Sequence, residues 1–337
     1  MTDTPHQPEA LPAGHPLEIF LAENRALTAA VAELRSQLLA ISEATDPEGD
    51  GLVARWREAS DRLQEVGRHY QRKERCYFAH LEKYGFIDPA RDMWRLDDDI
   101  RKELRNLTAR LQETHDPSGW QELARSSATL LLDMIEAMII AEEQGLLPHC
   151  SDRFTPVDWV EIHQESVRFG YCLVTPGQDF QPPPLPPHRP YLHGIDNVAL
   201  RLSSGQLTPH QLEGIFASLP VDLTFSDHED RIVFYSDPPQ RLFNRSPAII
   251  GRPLVNCHPP AAEQRLARLM DDLRSGRKDK DEGVHDVNGR RIRIQYLAVR
   301  DGEGEYIGCL ETAQDITALS FPEGHPEEIT DSEELSA

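Results

Sequence analysis

Imidazole and carboxylate side chains recur along the first half of the chain, inside segments that otherwise read as long amphipathic helices. They are His15, then His69 and Glu74, then Asp97, Asp98 and Asp99, and finally Glu142 with Glu143. Burying such a group costs free energy unless a hydrogen bond, an opposite charge or a metal satisfies it. Imidazole plus several carboxylates is the ligand set that helical bundles use for iron or manganese. Each residue also has an ordinary reading. His15 precedes Pro16 and can cap a helix, Asp97 to Asp99 favourably meet the macrodipole of a helix N-terminus, and Glu142-Glu143 can be a solvated end. The i+4 neighbour of His69 is Lys73, where a ligand pair wants Glu. Spacing alone leaves the metal and metal-free readings open.

Whether these groups meet depends on the helices that carry them. Apolar residues recur at helical spacing over about 15–44, 51–83, 89–116 and 118–147, with a shorter fifth helix after Thr155-Pro156. Short connections force neighbouring helices to run antiparallel, so the first four make an up-down-up-down bundle. In that arrangement the start of helix one, the late part of two, the early part of three and the late part of four share one end. The stretch from Leu130 to Ile140 is apolar nearly all round and belongs to the most buried helix.

The second half has a different period. A Pro-rich stretch at 176–190 favours extended polyproline conformation, and the linker is placed at 173–206. Beyond it come a short helix at 209–219, strands at 221–225 and 232–235, an amphipathic helix at 261–275, and strands at 283–287, 291–299 and 306–317. Ile292, Ile294, Tyr296 and Ala298 alternate, which buries one face of the sheet. Residues 1–12 and the tail 320–337 read as disordered; from Pro322 onward the tail holds six acids and no Lys or Arg.

Composition narrows the classes of function. The 337 residues suit about two domains. A net charge of −22 opposes binding to nucleic acid. No apolar run long enough to span a membrane and no signal peptide occur, so a cytoplasmic protein is expected. Five scattered cysteines form neither a disulfide framework nor a zinc ribbon. No nucleophile–base pair, phosphate loop or dinucleotide fingerprint points to an enzyme of those classes.

Several phrases carry a resemblance. Gly14-His15-Pro16 with Glu23-Asn24-Arg25, His69-Tyr70 with Arg72-Lys73-Glu74, Leu81 to Gly85, Met93-Trp94 with Asp98 to Arg101, and Glu142-Glu143 resemble the hemerythrin-like, HHE cation-binding bundles of a bacterial family fused to a C-terminal PAS domain. The match covers most of residues 13–172. It implies a four-helix bundle with a non-haem iron site, di-iron or manganese included, near His15, His69 and the late carboxylates of helix four. The chain departs from the pattern at Asp97, where many relatives carry His, and it lacks the paired His motifs of oxygen-carrying hemerythrins. Residues 207–319 resemble a PAS domain, an α+β fold with a five-stranded antiparallel sheet, through Leu219 to Asp222, Ile249 to Arg252, Val255-Asn256-Cys257-His258-Pro259-Pro260, Gly304 to Gly308 and Gln314 to Thr317. PAS interiors hold haem, flavin or a metabolite, and Cys257-His258 supplies two potential axial ligands, with His285 a further candidate. The plainer reading has Pro259-Pro260 starting the helix while Asn256 and His258 hydrogen-bond to the preceding loop.

The expected function is a sensory or regulatory protein in which the bundle binds iron and responds to oxygen, nitric oxide or redox state. The PAS half relays or integrates that state, with output through an unidentified protein partner or PAS-mediated homodimerisation. The alternatives are an iron-dependent enzyme handling nitric oxide or peroxide or donating iron for repair, and a metal-free interaction scaffold.

Overall fold

Helix α1 (Pro16–Glu43) starts on its own sequence signals. His15 holds an extended backbone, its Nδ1 accepts from the Leu17 amide at 3.2 Å, and Pro16 fills a first-turn position that needs no amide. The second rod is α2 (Leu52–Leu63), α3 (Val66–Arg72), a π-helical turn at Lys73–Phe78, and α4 (Ala79–Glu82). A break at Gln64 and Glu65 divides what reads in the sequence as one helix. The third is α5 (Asp88–Glu113), which ends ahead of Asp116-Pro117. Asp116 then caps α6 (Pro117–Leu123) through the Gly119 amide. That rod continues through a π turn at Ala124–Ala128, α7 (Thr129–Ala141), a π turn at Glu142–Leu146, and α8 (Leu147–Arg153). A Thr155–Asp158 capping box starts α9 (Pro156–Phe169).

This computed structural model describes residues 11–182, 199–238, 241–287 and 289–318. Residues 1–10, the stretch 183–198 of the expected linker, residues 239–240, Asn288 and the acidic tail lie outside them.

Helix α1 packs on α2 and α7, and α5 packs on the same two, so α1 and α5 face each other across the diagonal of an up-down-up-down bundle. Leu27, Val31 and Leu34 of α1 meet Trp56, Ile100, Leu104, Trp120, Leu132 and Ile135 in one apolar core. Burial of each large side chain contributes about 1.5–3 kcal/mol. The chain divides into two compact units between Pro183 and Pro184. The first residues of the expected linker lie back on the bundle. Phe180 donates its amide to Ala13 O at 2.9 Å, and Gly14, at φ +93°, has the Gly177 carbonyl where a side chain would stand.

The second unit opens with a hairpin, β1 (Leu200–Leu202) and β2 (Gly205–Leu207), which the sequence reading lacks. Helix α10 (Pro209–Ser218) follows a Thr208–Gln211 capping box. Strands β3 (Asp222–Asp227), β4 (Ile232–Tyr235), β5 (Lys280–Val287), β6 (Arg290–Arg300) and β7 (Tyr306–Asp315) form an antiparallel sheet in the order β4-β3-β7-β6-β5. Between β4 and β5, short 3-10 turns lead into α11 (Glu263–Arg274). Leu266, Leu269, Met270 and Leu273 of α11 cover Ile292, Ile294, Tyr296, Cys309 and Ala313 on the buried face of the sheet.

Candidate metal centre

Four rods deliver charged side chains to one buried place near the end of the bundle. Glu23 comes from α1, His69 and Arg72 from α3, Lys73 and Glu74 from the adjoining π turn, Asp97 and Arg101 from α5, and Glu142 from the start of another π turn. All are buried. Isolated π turns widen a helix by one residue and recur at functional sites; here two of them aim side chains into the cluster.

His69 is held from both sides. Its Nδ1 lies 2.7 Å from Glu23 Oε2, and its Nε2 lies 3.3 Å from each oxygen of Glu142. Phe20 closes on the ring edge at a centroid distance of 4.3 Å. Arg72 makes a two-pronged contact with Glu23 and also donates to Gly170 O at 2.9 Å. The Cys172 amide donates to Glu23 Oε1 at 2.7 Å. Glu23 therefore orients His69 while tying down the segment that leaves α9. A carboxylate behind one imidazole nitrogen is the usual way to fix a metal-ligating histidine.

At the point where His69, Asp97 and Glu142 converge stands the Lys73 ammonium. Its Nζ donates to Asp97 Oδ1 at 2.7 Å and to Glu142 Oε1 at 2.6 Å, touches Met138 Sδ at 3.1 Å, and lies 4.4 Å from the centroid of the Tyr70 ring. Arg101 bridges Glu74 at 2.6 Å and Asp98 at 2.7 Å. Glu74 Oε2 and Asp97 Oδ2 are buried without a hydrogen-bond partner among the described residues.

The charges follow from these contacts. Burial disfavours the Glu142 carboxylate, but Lys73 and His69 outweigh it and hold the group at about 2. Glu23 is likewise held at about 2, with His69 and Arg72 overcoming burial. Burial also opposes the positive forms of His69 and Lys73, yet each is shifted up by its carboxylates, Glu142 and Glu23 for His69, Asp97 and Glu142 for Lys73. Asp97 moves upward through burial, which the Lys73 charge only partly offsets beside Glu74 and Glu142. Burial and Glu74 push Asp98 to about 7.

Of the sequence candidates, His69, Glu74, Asp97 and Glu142 enter this cluster. His15 does not: it caps α1 and packs against Trp159 and Phe180, with centroids 4.9 and 4.8 Å away. Glu143 is exposed, because the residue after an inward-facing Glu142 turns about 100° away from it. Asp98 stands at the margin on Arg101, and Asp99 is exposed for the same rotational reason. Glu23, Arg72, Lys73 and Arg101 were not among the sequence candidates. Glu23 had a readable signal, since it interrupts the apolar stripe of Phe20, Leu27 and Val31 on α1.

In the second unit, Cys257 and His258 are buried, and Pro260 opens a 3-10 turn ahead of α11. His258 Nδ1 donates to Leu254 O at 3.0 Å, which leaves Nε2 to accept from Tyr296 OH at 3.3 Å. Nε2 also lies 3.7 Å from Glu311 Oε2. His285 is buried with Nδ1 unpartnered among the described residues. It lines a cavity of about 480 Å³ with Arg265, Leu269, Ile294 and Tyr296; neither Cys257 nor His258 lines it.

Comparison with known proteins agrees with this division. Residues 15–150 match the hemerythrin HHE cation binding domain family, and residues 212–317 match a PAS domain family. No curated protein matches the chain. Among solved structures, a C-terminal domain from Streptococcus mutans is similar at 30% identity, over 36% of this chain and 96% of that one, with a TM-score of 0.35. A PAS domain from Colwellia psychrerythraea is similar at 16% identity, over 32% of this chain and 97% of that one, with a TM-score of 0.26. Among the described residues no helix is long and apolar enough to cross a membrane. The pairing of domain types supports a metal-binding sensory protein in general. The chain is a fusion of a hemerythrin HHE cation-binding domain with a C-terminal PAS domain.

Proposed function

We propose that this is a sensory or regulatory protein whose bundle centre exchanges its internal ammonium for a transition cation, iron or manganese, and whose PAS domain relays or integrates that change. One observation carries the reading: separate rods bring His69, Asp97 and Glu142 to a buried point that already stabilises a positive charge. The donor types fit a hard or borderline cation. The unpartnered oxygens of Asp97 and Glu74 supply further acceptors. The space is taken by Lys73, so Lys73 is the competitor that any metal must displace.

When bound, the metal would supply redox and small-ligand chemistry toward oxygen or nitric oxide. The chain's own residues have narrower tasks. His69, Asp97 and Glu142 would hold the ion, Glu23 sets the imidazole orientation, Phe20 and Tyr70 keep water out, and Lys73 balances charge in the metal-free state. Output by protein contact, including a PAS-mediated homodimer in the cytoplasm, belongs to the same proposal, as does a small ligand in the cavity beside His285.

The same ammonium favours a second reading, a metal-free scaffold with Lys73 as permanent occupant. Full-length protein stripped with chelator and titrated anaerobically with Fe²⁺ or Mn²⁺ separates the two, with bound metal and melting temperature as readouts. The expected result is that Lys73→Met binds more tightly than wild type and gains more thermal stability from metal, by mass action, and that Glu142→Gln abolishes both effects. Equal, Glu142-independent behaviour of wild type and K73M leaves the scaffold reading in place.

A further inference from the structure

A second group of ligand-type side chains lies apart from the Lys73 cluster. His80 is on α4, and Asp158 and Glu161 stand one turn apart on α9. One donor atom from each lies within 4.8 Å of the others. The HHE family match ends at residue 150, so it includes His80 but neither carboxylate.

We propose that His80, Asp158 and Glu161 form a peripheral site for a divalent transition cation of the zinc type. Each donor is positioned from behind. A carbonyl only accepts, so the 2.7 Å contact of His80 Nδ1 with Cys76 O is a donated N–H, and Nε2 is the atom turned toward the carboxylates. Asp158 Oδ2 is saturated by the Thr155 amide at 2.8 Å, Thr155 Oγ1 at 2.7 Å and Tyr84 OH at 2.8 Å. That leaves Oδ1 facing His80 at 4.0 Å, while Glu161 Oε2 stands 2.9 Å from the same nitrogen. Outer hydrogen bonds that fix ligand orientation in this way are characteristic of metal sites.

The spacing also suits a shared ion. Two donors each about 2.0–2.2 Å from one cation are at most about 4.4 Å apart, and both measured separations from Nε2 fall below that. His80 Nε2 and the two carboxylates thus face one another across the space a cation would take. Lys83 Nζ lies 3.7 Å from both Asp158 and Glu161, with its side chain 41% exposed. Unlike the enclosed Lys73, it can withdraw into water when a dication arrives.

The test uses the full chain, stripped and then titrated with Zn²⁺ alone. Wild type and Glu142→Gln are expected to bind a zinc ion that Glu161→Gln binds at least tenfold more weakly. Lys83→Met is expected to tighten zinc binding by removing the competing ammonium. Glu161 is half-buried and caps nothing, and tryptophan fluorescence checks that E161Q keeps its fold. Equal zinc affinity in wild type and E161Q, or no zinc retained by wild type, E142Q and K83M, overturns the site and leaves a proton-bridged ion pair. Because E142Q removes the Lys73-cluster ligand and E161Q the peripheral one, failure of either metal reading is recognised without reference to the other.

Discussion

Lys73 Nζ lies 2.6 Å from Glu142 Oε1, and each residue is the first of its own π-helical turn, wholly removed from water. Two helices thus open their hydrogen-bond ladders where they face each other with opposite charge. Removing one partner of a buried pair strands the other, at a cost of about 3–5 kcal/mol. Glu142→Gln in chelator is expected to lose that much by denaturant unfolding. The double variant K73M/E142Q is expected to lose less than the sum of the single losses. Tryptophan fluorescence suits the measurement, because Trp56, Trp94, Trp120 and Trp159 are the chain's four tryptophans and all lie in the bundle unit.

The same cluster leads to an expected pH optimum of stability. Glu23 and Glu142 have folded values near 2 against an ordinary 4.5, so the stability they contribute is present above pH 4.5 and lost as pH falls toward 2. Each contributes on the order of 3 kcal/mol, not additively, because both lean on His69. Asp98 is raised from 3.8 to about 7 and His69 from 6.5, so what they contribute is present at low pH and lost as pH rises through the folded values. Asp97 shifts the same way as Asp98. Metal-free bundle stability is expected to peak in weakly acidic solution, and Glu142→Gln to flatten the acid limb. Denaturant midpoints read from tryptophan across pH 2–9 check this, and a flat profile would contradict the charge assignments.

A core substitution gives a scale for these polar effects. Leu132 is fully buried among the aliphatic and aromatic residues of the bundle. Leu132→Ala is expected to cost about 2–5 kcal/mol through lost burial and the cavity left behind. Its cost should not depend on pH or metal, which separates it from Glu142→Gln when both are followed by equilibrium unfolding.

The hydrogen bonds of His258 to Leu254 O and Tyr296 OH lead to a spectroscopic expectation. Protein produced with haem supplied is expected to purify without a Soret band, and His258→Ala to lower PAS-domain stability by about 1–3 kcal/mol through the stranded Tyr296 hydroxyl and Leu254 carbonyl. A stoichiometric Soret band that H258A abolishes would mean that the ring leaves both partners to bind iron.

The sequence carried the bundle well because periodicity reports which face of a helix is buried: Leu27, Val31 and Leu34 lie inside, as does the alternating Ile292, Ile294 and Tyr296 of β6. The centre was legible only in part. His69, Asp97 and Glu142 stand out as polar residues at inward positions, but periodicity cannot foresee a π turn, and the turns at Lys73 and Glu142 place these two residues against each other. Lys73 reads from spacing as the wrong partner for His69; in space it is the partner of Asp97 and Glu142. The site at His80 joins residues far apart in the chain, one of which, Asp158, is a helix cap by local reading. The β1–β2 hairpin is three residues a side and largely exposed, too short to leave a periodic trace.

Glu23 receives the amide of Cys172 and shares Arg72 with the carbonyl of Gly170. The backbone departing from α9 is thereby fastened to the carboxylate that steers the imidazole of His69. A displacement of Glu23 is expected to disturb the seat of that departing segment as well as the ring of His69. Glu23, the ring of His69 and the exit from α9 thus share one set of hydrogen bonds.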